Sequence, residues 1–171
     1  MKYFTKNEFK CKCCRTLPAD VWMYVDDLVK NVLDPVREEL GEPIVVNSGH
    51  RCDERNKLVG GAKNSQHLTG QAADVRAEHK GHKNILDWKL TNLRIAQLII
   101  KRGHFDQLIL EDIGVGDLLP VWVHVSYNKR LNRGQVLKKV AGQVGYHELT
   151  AEEICKVLGE GFIKKRRLSY D

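Results

Sequence analysis

The stretch from Ser65 to Asp74, Ser-Gln-His-Leu-Thr-Gly-Gln-Ala-Ala-Asp, constrains this chain more than any other segment. It offers an imidazole at His67 and a carboxylate at Asp74, with Gly70 between them to let the backbone turn without a Cβ penalty. Ala72 and Ala73 keep side-chain bulk away from whatever His67 and Asp74 hold. These are donor types that a borderline-soft cation such as zinc takes, and a catalytic site commonly uses three protein ligands plus water. His124 is the natural third donor. It lies in Val-Trp-Val-His-Val-Ser-Tyr, a β-branched and aromatic run that reads as a strand.

The rest of the chain reads as a scaffold for that constellation. Thr5 to Glu8 has the spacing of a capping box. Val21, Tyr24, Leu28, Val32, Val36 and Leu40 recur every three or four residues, one face of an amphipathic helix. Pro35 kinks that helix or restarts it with Asp34 as the new cap, and Gly41 ends it. Pro43 to Ser48 and Gln71 to Val75 read as strands, so Asp74 is expected on a sheet and not on a mobile loop. A buried helix containing Leu93 to Ile100 ends near Gly103. Gln107 to Glu111 and Val121 to Tyr127 are expected to pair antiparallel, which sets the end of the first beside the start of the second. Val136 to Val144 is expected as an edge strand, and Thr150 caps a last helix stopping near Gly159.

Without repeats or linkers, the 171 residues read as one α+β domain, 1–171, with a basic C-terminal tail at about 160–171. The expected core is a small antiparallel sheet carrying the metal site and flanked by helices. No apolar run approaches the roughly 18 residues that span a bilayer. The N-terminus lacks a signal-peptide apolar core, so the chain is expected to begin in the cytoplasm and to leave, if at all, by another route. A formal net charge of +6 invites a polyanion, either nucleic acid or an anionic wall polymer. The basic run Lys164 to Arg167 has no interleaved aromatics and no nucleic-acid motif beside it, which favours a solvated tail.

Five cysteines are present, three of them in Cys11-Lys12-Cys13-Cys14. One such knuckle without a second Cys/His pair at ligand spacing is a weak structural-zinc signal. Reduced thiols, or a Cys14–Cys52 bridge in an exported protein, fit the same residues.

A single histidine on a strand more often makes a structural hydrogen bond than a metal bond. The combination Ser65-x-His67-x-x-Gly70-x-Ala72-x-Asp74, followed by a later strand histidine, raises the odds. That pattern resembles the zinc D-Ala-D-Ala carboxypeptidase family, whose members act on peptidoglycan peptides and include phage endopeptidases. Asn47 to Cys52 is similar to the family's Ser-Gly-Tyr-Arg segment, with His50 in place of the usual Tyr. Val59 to Asn64 resembles its glycine-rich lead-in, and Trp122 to Ser126 its final ligand strand.

The resemblance implies a hedgehog/D,D-peptidase-like fold and one zinc ion held by His67, Asp74 and His124. It also implies that Arg51 steadies the carbonyl oxygen or a substrate carboxylate, tasks suited to a planar, permanently charged fork. Several family members carry an acid three positions before the last histidine, where this chain has Val121. Glu111 is the first candidate for the general base, because it ends the strand expected beside Val121. Asp112 and Asp117 are substitutes. Trp122 is expected to wall the pocket, and Ser65 and Gln66 to orient the ligand loop. His79, His82, His104 and His147 have no partner at ligand spacing.

The implied activity is a zinc-dependent peptidase cutting peptidoglycan stem peptides, as a D,D-carboxypeptidase or an endopeptidase of phage or prophage lysis. The alternative is a non-catalytic, zinc-bearing wall-binding or phage structural module on the same fold.

Overall fold

The computed structural model describes residues 1–159; the basic tail expected at about 160–171 lies outside the described residues. The architecture is α+β. A short 3₁₀ turn (Lys6–Phe9) precedes helix α1 (Ala19–Leu28), a π-helical turn (Val29–Leu33) and helix α2 (Asp34–Leu40). Strand β1 (Ile44–Ser48), helix α3 (Asp53–Leu58), strand β2 (Ala72–Ala77) and helix α4 (Ile85–Arg102) follow. Strands β3 (Gln107–Ile113), β4 (Trp122–Ser126), β5 (Gln135–Val140) and β6 (His147–Glu148) and helix α5 (Ala151–Leu158) complete the order.

The strands form one six-stranded sheet in the order β1-β2-β4-β3-β5-β6. Neighbours among its first four strands are antiparallel, as expected, but β5 runs parallel to β3, so the sheet is mixed. The expected edge strand Val136 to Val144 is therefore an interior strand, Gln135–Val140, flanked on its far side by β6. β-Branched valines mark β5 as a strand, but its direction and neighbours depend on how the intervening loop closes, which local sequence does not encode.

The side-chain period of two separates a packing face from a chemical face. Ala73, Val75, Ala77, Leu108, Leu110, Val123 and Val125 join the helices in one apolar core. Of the two alanines beside Asp74, Ala73 thus faces the core. The opposite face carries Asp74, Ile109, Glu111, Trp122, His124, Leu137 and Lys139, all lining one cleft.

Two buried side chains pin the strand ends beneath α4. Asn92 Oδ1 accepts from the Ala77 amide (2.8 Å), and its Nδ2 donates to the carbonyls of Pro120 and Val121 (3.2 and 2.8 Å). Trp88 Nε1 donates to the Ala77 carbonyl at 2.9 Å. Each leaves fewer backbone groups unsatisfied where β2 and β4 end under the helix.

Pro35 neither breaks nor sharply restarts the first helical segment. The five residues before Asp34 widen into a π turn, which accommodates a residue that cannot donate and crowds the preceding turn. Asp34 is consequently not the cap. Its carboxylate accepts instead from the amides of Lys2 and Tyr3 (2.6 and 3.1 Å), tying down the N-terminus. The expected stripe of Val21, Leu28, Val32, Val36 and Leu40 is buried, Val25, Val29 and Leu33 widen it, and only Tyr24 of the expected set is exposed.

Gly70 has φ +76°, and a Cβ there would lie 2.6 Å from Val21 Cγ1 and 2.9 Å from the Val21 carbonyl oxygen. Gly70→Ala is expected to cost about 2–4 kcal/mol, combining left-handed strain with overpacking against α1. Equilibrium denaturation of the metal-free protein measures it.

Candidate metal centre and cleft

Pairing of β2 with β4 sets Asp74 directly opposite His124. His67 reaches them from the turn-rich loop before β2. Its loop is held by Gln66 Nε2 donating to Asp106 Oδ2 (2.8 Å) and by the Gln71 amide donating to the Gln66 carbonyl (3.0 Å). Asp106 is itself gripped by the Arg133 fork, at 2.9 and 2.7 Å, which holds its carboxyl below the usual carboxylate range. Ser65 Oγ accepts from the His67 amide at 3.4 Å. The expected anchoring by Ser65 and Gln66 thus has a geometric basis, and Asp106 extends it.

Three donor atoms converge. Asp74 Oδ1 lies 3.2 Å from His67 Nε2 and 2.9 Å from His124 Nδ1, and the two nitrogens are 3.1 Å apart. His67 Nδ1 faces the Gly49 carbonyl at 2.7 Å. A carbonyl only accepts, so Nδ1 carries the proton, and in the neutral ring Nε2 turns a lone pair toward the other two atoms. Lone pairs so disposed repel unless a cation or a proton, such as one on His124 Nδ1, lies among them. Two imidazole nitrogens and a carboxylate oxygen suit zinc, and the second ring nitrogen of His67 makes the kind of supporting hydrogen bond that orients a ligand. The three residues could hold a metal ion, and all three are buried.

Arg51 sits beside this cluster. Its Nη2 pairs with Asp74 Oδ2, and its Nε donates to Ser48 Oγ at 2.9 Å. In the metal-free site, burial raises the pKa of Asp74, but protonated His67 and His124 rings outweigh it through charge and hydrogen bonds and hold the carboxyl well below the usual range. Among the described residues, Nη1 of Arg51 has no hydrogen-bond partner. His50 lies buried behind the cluster, its Nδ1 3.2 Å from the His67 carbonyl oxygen, and so packs and positions rather than lining the cleft.

The cluster forms part of the floor of a cleft of about 620 Å³. Arg51, Ser65, Glu111, Asp112 and Trp122 line it too, so every residue singled out for chemistry except Asp117 meets there. Asp117 Oδ1 instead accepts from the amides of Leu118 and Leu119 (2.6 and 2.9 Å), closing a turn away from the cleft. Glu111 pairs with Trp122 in register, as the antiparallel β3–β4 reading required. Burial foremost, then the charge of Asp74, pushes its carboxyl up to about 7.

His79, His82, His104 and His147 lie outside this cleft; His79 stacks on Trp88 with centroids 4.0 Å apart. Two lining residues escaped the sequence reading: Lys139 on β5 and Tyr146 before β6, the ammonium lying 5.5 Å from the phenol ring centroid. The local sequence Gln-Val-Leu-Lys-Lys-Val shows no alternation that separates its faces, and the parallel β3–β5 pairing is what turns Leu137 and Lys139 toward the cleft.

Two histidines and one carboxylate, with a buried carboxyl near them in an open cleft, make a donor set that could hold a metal ion. The family profile of Peptidase M15 matches residues 2–103, well over half of the chain. The chain belongs to the Peptidase M15 family. The match contains His67, Asp74 and Arg51 but stops before β3, so His124 and Glu111 join the site through the fold. The zinc D-Ala-D-Ala carboxypeptidase of Streptomyces albus G is 46% identical over 50 residues, which is 29% of this chain and 20% of that relative. The chain therefore aligns with about a fifth of that enzyme's length.

The raised Glu111 carboxyl predicts a pH dependence of known sign. Its folded pKa exceeds the ordinary 4.5, so the folded state holds the proton more tightly and metal-free protein loses stability as pH rises from about 4.5 to about 7. Glu111→Gln is expected to remove that loss, up to about 3 kcal/mol, in denaturation curves of wild type and variant recorded across this range.

Proposed function

We propose that this chain is a zinc-dependent peptidase that hydrolyses peptidoglycan stem peptides, as a D,D-carboxypeptidase or an endopeptidase. The convergence of His67, Asp74 and His124 beside the Glu111 carboxyl is the observation that carries this reading. Membership of the Peptidase M15 family and the likeness to a zinc D-Ala-D-Ala carboxypeptidase support it. One apolar core running from Phe4 to Val157 supports a single catalytic unit, and family membership is consistent with a hedgehog/D,D-peptidase-like architecture.

His67 Nε2, Asp74 Oδ1 and His124 Nδ1 would hold the ion. When bound, zinc supplies Lewis acidity toward a carbonyl and makes a water more acidic. Glu111 acts as general base: its carboxylate takes the proton of the attacking water and then delivers it to the leaving amine nitrogen. A carboxyl in this position can take a proton from water and return it to the leaving nitrogen, the two transfers peptide hydrolysis needs. Arg51 holds Asp74 with one arm of its fork, and its Nη1 is available to a carbonyl or carboxylate oxygen of the peptide. Trp122 and Tyr146 wall the cleft and restrict water around the reacting bond.

Arg51 and Lys139 place positive charge along the cleft, suited to a peptide ending in a free carboxylate such as the D-Ala terminus of a stem peptide. The net charge of +6 favours approach to an anionic wall, consistent with a phage or prophage lysis enzyme. The non-catalytic alternative drew its support from Val121, and Glu111 on the neighbouring strand supplies the acid that Val121 lacks.

Incubation of the zinc-loaded chain with defined muropeptides, read by mass, is expected to release D-Ala or a shorter stem fragment, and chelation to stop release. Glu111→Gln is expected to lower kcat about 10²–10⁴-fold while leaving zinc at His67, Asp74 and His124. Unchanged turnover in that variant would assign the base elsewhere. Wall binding without any cleavage by wild type would favour the binding-module reading.

A further inference from the structure

The fold brings Cys52 to the knuckle near the N-terminus. One sulfur ligand atom from each of Cys11, Cys13, Cys14 and Cys52 lies within 4.8 Å of the other three. We propose that these four cysteines form a second, structural metal site that takes a thiophilic divalent ion, zinc, in an all-thiolate shell. Nothing in this inference depends on the peptidase reading.

The sulfur geometry suits one shared ion. Cys11 Sγ lies 3.4 Å from Cys13 Sγ and 3.6 Å from Cys52 Sγ, and Cys13 and Cys52 sulfurs are 3.1 Å apart. Disulfide sulfurs sit at about 2.05 Å, far closer than any of these pairs. Tetrahedral zinc with bonds of about 2.3 Å spaces its sulfurs at about 3.8 Å. Four mutually adjacent sulfurs therefore surround one centre rather than pairing off. Cys11 and Cys14 also have the two-residue gap usual for a zinc knuckle, with Cys52 supplying the distant ligand whose absence weakened the motif in the sequence.

The backbone is built for the same end. Cys11 is fully buried and accepts from the Cys52 amide at 3.4 Å, the backbone-to-sulfur contact common around thiolates. The chain folds tightly around Cys13 and Cys14: the Arg15 amide donates to the Cys11 carbonyl and the Cys11 amide to the Thr16 carbonyl, both at 2.9 Å. Arg15 closes this turn in the left-handed region, with φ 57°. Lys10, Lys12 and Arg15 interleave the sulfurs in sequence, and their charge offsets the dianion that four thiolates on a divalent ion create.

The site would fasten the N-terminal segment to the loop carrying Arg51. Gly49 approaches Phe9 so closely that a Cβ would lie 2.6 Å from the Phe9 Cα, and the His50 amide donates to the Phe9 carbonyl at 2.9 Å. Cys52 directly follows Arg51, whose fork holds Asp74, and the Arg51 amide donates to the His67 carbonyl at 3.0 Å. An ion at the cysteines thus stiffens the two segments that present Arg51 and His67.

The test counts metal on the full chain under reducing conditions. Elemental analysis is expected to find two zinc ions per chain, and one in the His67→Ala/His124→Ala variant. Loading that variant with cobalt is expected to give intense thiolate-to-cobalt charge-transfer absorption, which nitrogen and oxygen ligands do not produce. In native wild type a thiol reagent should modify Cys155 rapidly and the other four only after chelation. Cys13→Ser/Cys52→Ser should lose one zinc and keep the other; should it fail to fold, the cobalt spectrum of the histidine variant decides. A metal-free histidine variant, five rapidly reactive thiols before chelation, or disulfides among the four in the native mass would overturn the assignment. An inactive protein that still holds the thiolate-bound ion would count against the peptidase reading and leave this one standing.

Discussion

Asp74 and His124 face each other across two antiparallel strands, and His67 descends on the same point from a loop. Three electron-rich atoms about 3 Å apart are an electrostatic conflict, and much of the surrounding structure serves to maintain it. The Gly49 carbonyl keeps the proton on the far nitrogen of His67. Arg51 neutralises one oxygen of Asp74 and leaves the other turned inward. Gln66, Asp106 and Arg133 brace the loop that would otherwise swing His67 away. Positive charge at the centre resolves the conflict, and the rigidity of its surroundings sets how well the three donors are prepared for it.

That rigidity comes from the other side of the sheet. Strands β2, β3, β4 and β5 contribute residues both to the apolar core and to the cleft, so packing and chemistry share a backbone. Helix α4 covers β2, β3 and β4, and Asn92 on it holds the ends of β2 and β4 together. A donor atom on a central strand, fixed on both flanks, loses little position to thermal motion. Alternation along β3 puts Glu111 in the cleft two residues along from Ile109, which is paired with His124. Burial of that acid, with the charge of Asp74, outweighs the nearby His124, Lys139 and Arg51 and is the physical origin of its high proton affinity.

The N-terminal third adds a second level of organisation. Phe9 packs onto Gly49, and the cysteines near Phe9 meet the cysteine after Arg51. A segment remote in sequence is thereby fastened against the backbone of residues 49–52. Arg51 and the Gly49 carbonyl both belong to that short stretch, so its position bears directly on Asp74 and on the His67 ring.

Much of the constellation was legible in the chain alone, because metal donors on strands leave local marks: a glycine at the turn, small residues beside a carboxylate, a histidine amid β-branched neighbours. His67, Asp74, His124 and the antiparallel pairing that draws Glu111 near Trp122 all follow from short-range patterns. Helix ends at Gly41, Gly103 and Gly159 were legible for the same reason. What escaped was set by chain closure over long separations. The parallel seating of β5, which turns Lys139 toward the cleft, depends on a connection whose path no periodicity records. The π turn before Pro35 is a compromise between helix continuity and a missing donor. The meeting of Cys52 with Cys11, Cys13 and Cys14 needs a contact across some forty residues. The amino-acid order determined which atoms could do chemistry, since donor type and strand period are local properties; only the tertiary fold decided which of them meet, since that rests on packing between distant segments.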